Sequence, residues 1–310
     1  MTDNDAVLLD SLRLIYASAD TWGMYYSLDL NPVRLAADRL QSVLEAAGAT
    51  DDAFHSTAAD VLAIRFVIFV SWGNDSIALV QWAKENELDG VACVYTDTGW
   101  AADGWMDRVE RGEAWARAAG FTTYRTSSIG FRQLAREKKG FPTQRFQWCS
   151  YILKIEPGQR WLAENDPDCR AVCLTGIRRE EHESRANAPE YMPKSANHGG
   201  RVLMSPLATF TAEQRDELIR RAGFDVLPHR SRECKCINAN KRDFQRFTEN
   251  DIAEIEAAEA EIGRTMYRPH RHMGATGIRE VVRWANSPRG AYEAEPEPDL
   301  LTCQPHGFCE

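Results

Sequence analysis

Val67–Leu79, VIFVSWGNDSIAL, runs an apolar stretch into a polar turn and resumes as an amphipathic segment. The turn holds Ser71, Trp72, Gly73, Asn74, Asp75 and Ser76. A strand that turns straight into a helix presents free backbone N–H groups and the positive end of the helix dipole, a place that favours anions. Gly73 lets the backbone approach an oxyanion closely, and Ser71 and Ser76 offer hydroxyl donors. Asp75 could cap the helix or orient a hydrated cation. The turn therefore reads either as a phosphate loop or as an ordinary capped turn. Neither the GxxxxGKS/T pattern nor GxGxxG occurs here, which excludes the P-loop and the dinucleotide fingerprint.

A second group follows the apolar run AVCLTG. Arg178 and Arg179 stand where a strand would end, and a planar guanidinium can grip phosphate through two hydrogen bonds. Pairing with Glu180 and Glu181 on a solvated turn is the alternative.

The third group is sulfur. Eight cysteines in 310 residues do not make a disulfide framework in a chain long enough to bury its own core, so metal binding or redox chemistry is the expectation. Cys93, Cys169 and Cys173 sit in or beside apolar runs and are expected to be buried structural thiols. Cys149, Cys234, Cys236, Cys303 and Cys309 lie in polar, loop-like surroundings. Four converging thiolates suit an iron–sulfur cluster, while a tetrahedral set of thiolates and imidazoles, with His270, His272 or His306 available, suits zinc.

These groups need a scaffold. Apolar runs IRFVIFV, VACVYT, FTTYRT, AVCLT and RVLMSP alternate with helical segments such as DSIALVQWAKE and DGWMDRVERGEAWARAAG, which implies βαβ units and a parallel sheet flanked by helices. Residues 1–60 are expected to form a helical N-terminal extension, with Val33, Ala36, Leu40, Val43, Leu44 and Ala47 at helical spacing. Residues 61–210 are expected to form the α/β unit, and residues 211–310 a helical region containing the later cysteines and an acidic tail. The net charge of −9 opposes a general nucleic-acid coat protein. Segment 229–247 nevertheless holds six Lys/Arg against two acids, either as a solvated helix start or as a lip for a polyanion. Trp148, Trp72 and Phe244 are better read as packing than as base-stacking platforms. No apolar stretch is long enough to span a membrane and the N-terminus is acidic, so the expected location is the cytoplasm.

SWGNDS resembles the SGGxDS pyrophosphate loop of the ATP pyrophosphatase superfamily, which includes the phosphoadenosine phosphosulfate (PAPS) reductases. VYTDTGW, residues 94–100, looks like the DTG segment of that branch, and LTGIRREEHESR, residues 174–185, is similar to its GxRxxES segment. FQWCSYILKIEP looks like the CCxxRKxxP region of iron–sulfur sulfonucleotide reductases with one cysteine instead of two, while RECKCIN and TCQPHGFCE resemble the cysteine segments of phage and prophage PAPS reductase-like proteins. The resemblance implies a Rossmann-like, adenine nucleotide alpha hydrolase-like fold. It places Ser71–Ser76, Asp97, Thr98 and Gly176 around ATP, gives Asp75, Arg178 and Arg179 the catalytic roles, and brings in magnesium. It further implies a 4Fe-4S cluster on Cys149, Cys236, Cys303 and Cys309, with Cys234 as a substitute. Three departures stand out: Trp72 replaces a glycine, Asn74 replaces a lysine, and Glu233 stands where the first cysteine of a CxxC pair would align. The implied activity is an ATP pyrophosphatase that adenylates an acceptor such as DNA or RNA for sulfur transfer, with a sulfur-donor protein and self-association as further partners. The alternatives are a PAPS or adenylyl-sulfate reductase, although the usual terminal ECGIH segment is absent, and a nucleotide-binding subunit without catalysis.

Overall fold

The computed structural model describes residues 64–181, 183–228, 233–267 and 277–288. The expected N-terminal extension, Cys303, Cys309 and the three histidines named above lie outside the described residues. Strand β1, Phe66–Val70, is central: it pairs in parallel with β2, Val91–Asp97, on one side and with β4, Val172–Leu174, on the other. A strand covered on both faces needs apolar side chains on both, which is why FVIFV is continuous rather than alternating. β3, Thr122–Ser127, flanks β2; β6, Arg201–Met204, flanks β4; and β5, Tyr191–Ser195, closes that edge. The order is β3-β2-β1-β4-β6-β5, parallel except for β5. The chain winds outward from β1 through β2 to β3, then crosses back to start again at β4. The carboxyl end of β1 is thus the point where strand order reverses, the usual ligand crevice of such sheets.

Helix α1, Asn74–Glu85, follows β1, and α2, Trp105–Ala118, follows β2. They share a core with β1 that includes Ile68, Ile77, Val80 and Val109, and this core continues past residue 210 into Leu218 and Ile219 of α5, Ala212–Arg221. On the opposite face Val67, Ala92, Val94 and Cys173 pack against Trp161 and Leu162 of α4, Glu156–Asn165. A separate core joins Trp100, Leu153 and Phe131, the last from α3, Phe131–Glu137, to the C-terminal helices α6, Lys241–Phe244, α7, Glu249–Ile262, and α8, Ile278–Asn286. Thr248 caps α7 in a reciprocal pair with Asp251, and Gly263 ends it in a left-handed turn.

Two expectations are corrected. Cys93 and Cys173 are buried strand thiols, but Cys169 is exposed, because Asp166–Cys169 forms a turn with Cys169 at φ 55° before β4 begins. Lys235, counted with the basic lip, is 1% exposed and faces inward: Nζ donates to the Ala101 carbonyl at 2.5 Å, pairs with Glu254 at 2.7 Å and lies 4.6 Å from the centre of the Trp100 ring. Phe244 is core, as expected, and Trp148 stacks on Phe131.

Trp72 solves its own crowding problem. With φ at 60°, in the left-handed region, it swings its indole away from the turn and buries it completely against α2. The ring lies over Gly112, where a Cβ would stand 2.3 Å from Trp72 Cε3. We expect Gly112→Ala to destabilise the protein by about 1–3 kcal/mol, since overpacking outweighs the helix propensity gained. Thermal unfolding checks this: Tm should fall by roughly 2–4 °C per kcal/mol, and an unchanged or raised Tm would show that the ring sits elsewhere.

Candidate functional site

The turn after β1 is built by its two serines. Ser76 Oγ accepts from the Ser71 amide at 3.1 Å, the two hydroxyls are 3.1 Å apart, and the Gly73 amide points at Ser71 Oγ at 3.4 Å. α2 fixes the turn from behind: Trp105 Nε1 donates to the Ser71 carbonyl at 3.0 Å and Arg108 Nε to that of Trp72 at 2.7 Å. Gly73 is the N-cap of α1, in extended conformation and without a side-chain cap, so Asp75 is not the capping residue. The first-turn amides of α1 are left without a side-chain acceptor of the cap type, an arrangement suited to an anion.

The loop after β4 meets this turn. Gly176 lies so close that a Cβ there would be 2.9 Å from the Asp75 carbonyl oxygen. Two residues on, Arg178 is buried and its Nε donates to Asp75 Oδ1 at 2.9 Å; Arg215 of α5 approaches the same oxygen at 3.8 Å. Arg179 turns the other way, donating to the Ala188 carbonyl at 3.0 Å and pairing with Glu190 at 2.9 Å. Asp97 accepts from the Gly99 amide at 2.8 Å and the Thr98 carbonyl from the Phe131 amide at 2.9 Å. Arg179, Asp97 and Thr98 are not among the residues lining the main cleft.

That cleft, about 750 Å³, is large enough for a nucleotide. Its lining includes Ser71, Asp75 and Arg178, and Arg185, Arg215, Arg242 and Lys154 add cationic side chains. These four were not assigned from sequence, although Arg185 closes the LTGIRREEHESR segment and Lys154 keeps its place in the cysteine segment. Nearby carboxylates hold several of them in place: Glu181 pairs with Arg185, Asp216 with Arg215 at 2.5 Å, and Glu233 with Lys154 at 2.5 Å.

Cys234 and Cys236 also line the cleft. Residues alternate sides in extended backbone, and Cys234 pairs with Ala101 in an antiparallel bridge. The Cys-Lys-Cys spacing therefore directs both thiols to the cleft and Lys235 to the core. A hydrogen bond to Cys236, then burial, push the Cys234 thiol well above its ordinary pKa. Cys149, on the helical turn Trp148–Ser150, is raised by burial and then by nearby Cys236, with Lys154 opposing. Burial works against the Lys154 ammonium, but Cys234, Glu233 and Cys236 outweigh it and raise its pKa. Cys234 and Cys236 are of the right chemistry for a soft metal, and Cys149 packs on the same core as Cys234, while no group of three or more His, Cys, Asp or Glu among the described residues is arranged as a metal site.

Asn74, expected at the nucleotide, is 2% exposed and serves the chain itself. Its Nδ2 donates to the Leu227 carbonyl and its Oδ1 accepts from the Leu227 amide, both at 3.0 Å. This clamp fixes Val226, Leu227 and Pro228, which form part of the cleft wall. Asn74→Ala should lower stability by about 1–3 kcal/mol, because both Leu227 groups lose a partner. Hydrogen exchange at the Leu227 amide should accelerate with it, and unchanged protection would mean that the wall is held by something else.

Residues 65–237 match the phosphoadenosine phosphosulfate reductase domain. An uncharacterized protein of Methanocaldococcus jannaschii is 28% identical over 120 residues, covering 39% of this chain and 24% of that protein, so the match spans about a quarter of the relative's length. Among solved structures, the PAPS reductase of Candida auris, a phosphate complex, aligns with 52% of this chain and 74% of its own at 15% identity and a TM-score of 0.38. The U34-tRNA thiolase NcsA of Methanococcus maripaludis, solved with its 4Fe-4S cluster, aligns with 73% and 72% at 12% identity and a TM-score of 0.39. The domain match covers more than half of the chain, begins at the strand that feeds the SWGNDS turn and ends just past Cys236: the chain belongs to the PAPS reductase domain family.

Proposed function

We propose that the protein is an ATP pyrophosphatase that adenylates an acceptor, a nucleic acid, with release of pyrophosphate, and that nucleophilic sulfur from a donor protein then displaces AMP from the adenylated position. The observation that supports this most is a single cleft whose lining holds Ser71 and Asp75 of the β1 turn, several arginines, and both Cys234 and Cys236. The pyrophosphate would rest on the Ser71 and Ser76 hydroxyls, the Gly73 backbone and the start of α1. Arg178, Arg185 and Arg215 would stabilise the charge that develops as the acceptor oxygen attacks the α-phosphorus and the bond to the β-phosphate breaks. Asp75 is the turn's own carboxylate for a hydrated magnesium ion. Trp72 turns away from the cleft and so does not obstruct it, which speaks for a working site over a subunit without catalysis.

A 4Fe-4S cluster would be held by Cys149, Cys234 or Cys236 and the tail cysteines Cys303 and Cys309, and would supply a site for sulfur binding. The surrounding chain contributes Lys154 as a cation beside the sulfur ligands and Glu233 as its counterion. The second reading, a reductase of PAPS or adenylyl sulfate, is favoured by the family match itself.

Product identity separates them. Anaerobically purified protein with magnesium and ATP should release pyrophosphate and AMP, faster when DNA or RNA is added. Ser71→Ala should weaken ATP binding about tenfold or more, the effect of one charge-assisted hydrogen bond. Sulfite from PAPS and a thiol reductant, without pyrophosphate from ATP, would establish the reductase instead. The cluster has its own readout: the anaerobic preparation should be brown with acid-labile sulfide, Cys149→Ala and Cys236→Ala should bleach it, and Cys169→Ala, on an exposed turn, should not. A colourless protein with stoichiometric zinc would replace the cluster by a structural metal.

A further inference from the structure

The loop leading to Cys149 is basic and aromatic in a protein that is acidic overall. Lys138–Trp148, KKGFPTQRFQW, carries three basic residues and no acid, whereas the chain has a net charge of −9. Lys138, Lys139 and Arg145 are exposed, and so is Arg264 at the end of α7. Nearby Arg132 and Arg136 are both paired with Glu261, while none of the four exposed cations forms a salt bridge with another described residue. Among the described residues only four large apolar side chains are exposed, and two of them, Phe146 at 66% and Tyr151 at 52%, bracket Cys149 in the chain.

Arg145 and Arg264 line a second groove of about 610 Å³, whose walls include Gly140–Arg145 and Arg264–Tyr267, and Lys139 and Phe146 flank the first of these walls in the chain. Arg264 Nη1 reaches across to within 3.9 Å of where a Cβ of Gly140 would stand, and the Arg145 guanidinium carbon lies 5.6 Å from the centre of the Phe146 ring. The far end of the loop is tied to the main cleft: Gln147 Oε1 accepts from Asn238 Nδ2 at 3.2 Å, and Asn238 lines that cleft. The loop that carries Lys138, Lys139, Arg145 and the uncovered Phe146 ring therefore joins the groove to the main cleft.

We propose that this surface binds single-stranded nucleic acid and leads it toward the main cleft. Its role as acceptor site rests on the adenylation reading; its binding of the strand does not. Lys138, Lys139, Arg145 and Arg264 would face successive phosphates, and an unstacked base would lie on the Phe146 ring. Cationic grooves with exposed aromatic rings hold single strands in this way, tolerant of sequence because every base has a π-face. A duplex hides that face, and an acidic protein segment has no use for it.

The test is fluorescence anisotropy of the full-length protein, without ATP, against labelled oligothymidylate and oligouridylate, a duplex of the same length, and polyglutamate as competitor. Single strands should bind, with a salt dependence of about 0.7 per phosphate contact. Phe146→Ala should weaken binding about fivefold or more. Lys138→Glu with Arg145→Glu should weaken it at least about tenfold, and Cys169→Ala, on the exposed turn before β4, should leave it unchanged. Tighter binding of either strand identifies the source as DNA or RNA and supports the proposal in both cases. No binding, equal binding of the duplex, wild-type affinity in the loop variants, or displacement by polyglutamate as effective as by unlabelled strand would overturn it, the last pointing to an acidic protein partner. Circular dichroism confirms that these exposed-site variants fold. Strand binding without pyrophosphate formation would end the adenylation reading alone; pyrophosphate formation without strand binding would end this one alone.

Discussion

The ion pair between Asp75 and Arg178 joins the two strand ends that flank the reversal of the sheet. A guanidinium buried to 3% exposure requires a counterion, and removing that partner would leave an uncompensated charge costing several kcal/mol. Arg178 therefore dictates where Asp75 must be, and with it the first turn of α1. Gly176 permits the contact by letting the loop after β4 touch the Asp75 backbone. Arg215 brings a third element to the same carboxylate, since α5 is seated in the core beneath α1. Removing the Asp75 carboxylate would thus disturb the shape of the turn as well as any cation it orients.

The sulfur end of the cleft depends on a different anchor. Lys235 holds the segment between the two cysteines through the Ala101 carbonyl, Glu254 and the face of Trp100. Those partners come from the loop after β2 and from α7, so the C-terminal helices act on the cleft through one buried ammonium. Glu233 is turned to Lys154 and keeps a cation beside the thiols.

The parallel sheet and the central place of β1 were legible because doubly covered strands need unbroken apolar runs, and FVIFV and VACVY have them. β5 was not, since YMPKS is an exposed edge strand containing a proline and lacks any apolar periodicity. The SWGNDS turn and the position of Arg178 could be read from their place after strands. The opposite orientations of Arg178 and Arg179 could not, because both follow the same strand and only the packing of Gly176 against the turn decides which of them points inward. Arg215 and Arg242 come from helices distant in sequence, and no local pattern announces that they share a cleft. Lys235 was counted as surface charge because composition records a lysine without its partners; the one-residue spacing of Cys234 and Cys236, read as extended backbone, was the signal that could have placed it.

Trp72 and Gly112 form a knob and a socket on elements that are far apart in sequence but touch face to face. Neither residue has a reason to be what it is without the other: the indole needs a bare helix backbone beneath it, and an interior helical glycine lowers stability unless something fills the space it leaves. The two positions are therefore coupled energetically: replacing Trp72 by glycine would open a void above α2, and the simplest repair is a larger side chain at position 112. Either exchange alone lowers stability, whereas the two together restore part of the fit.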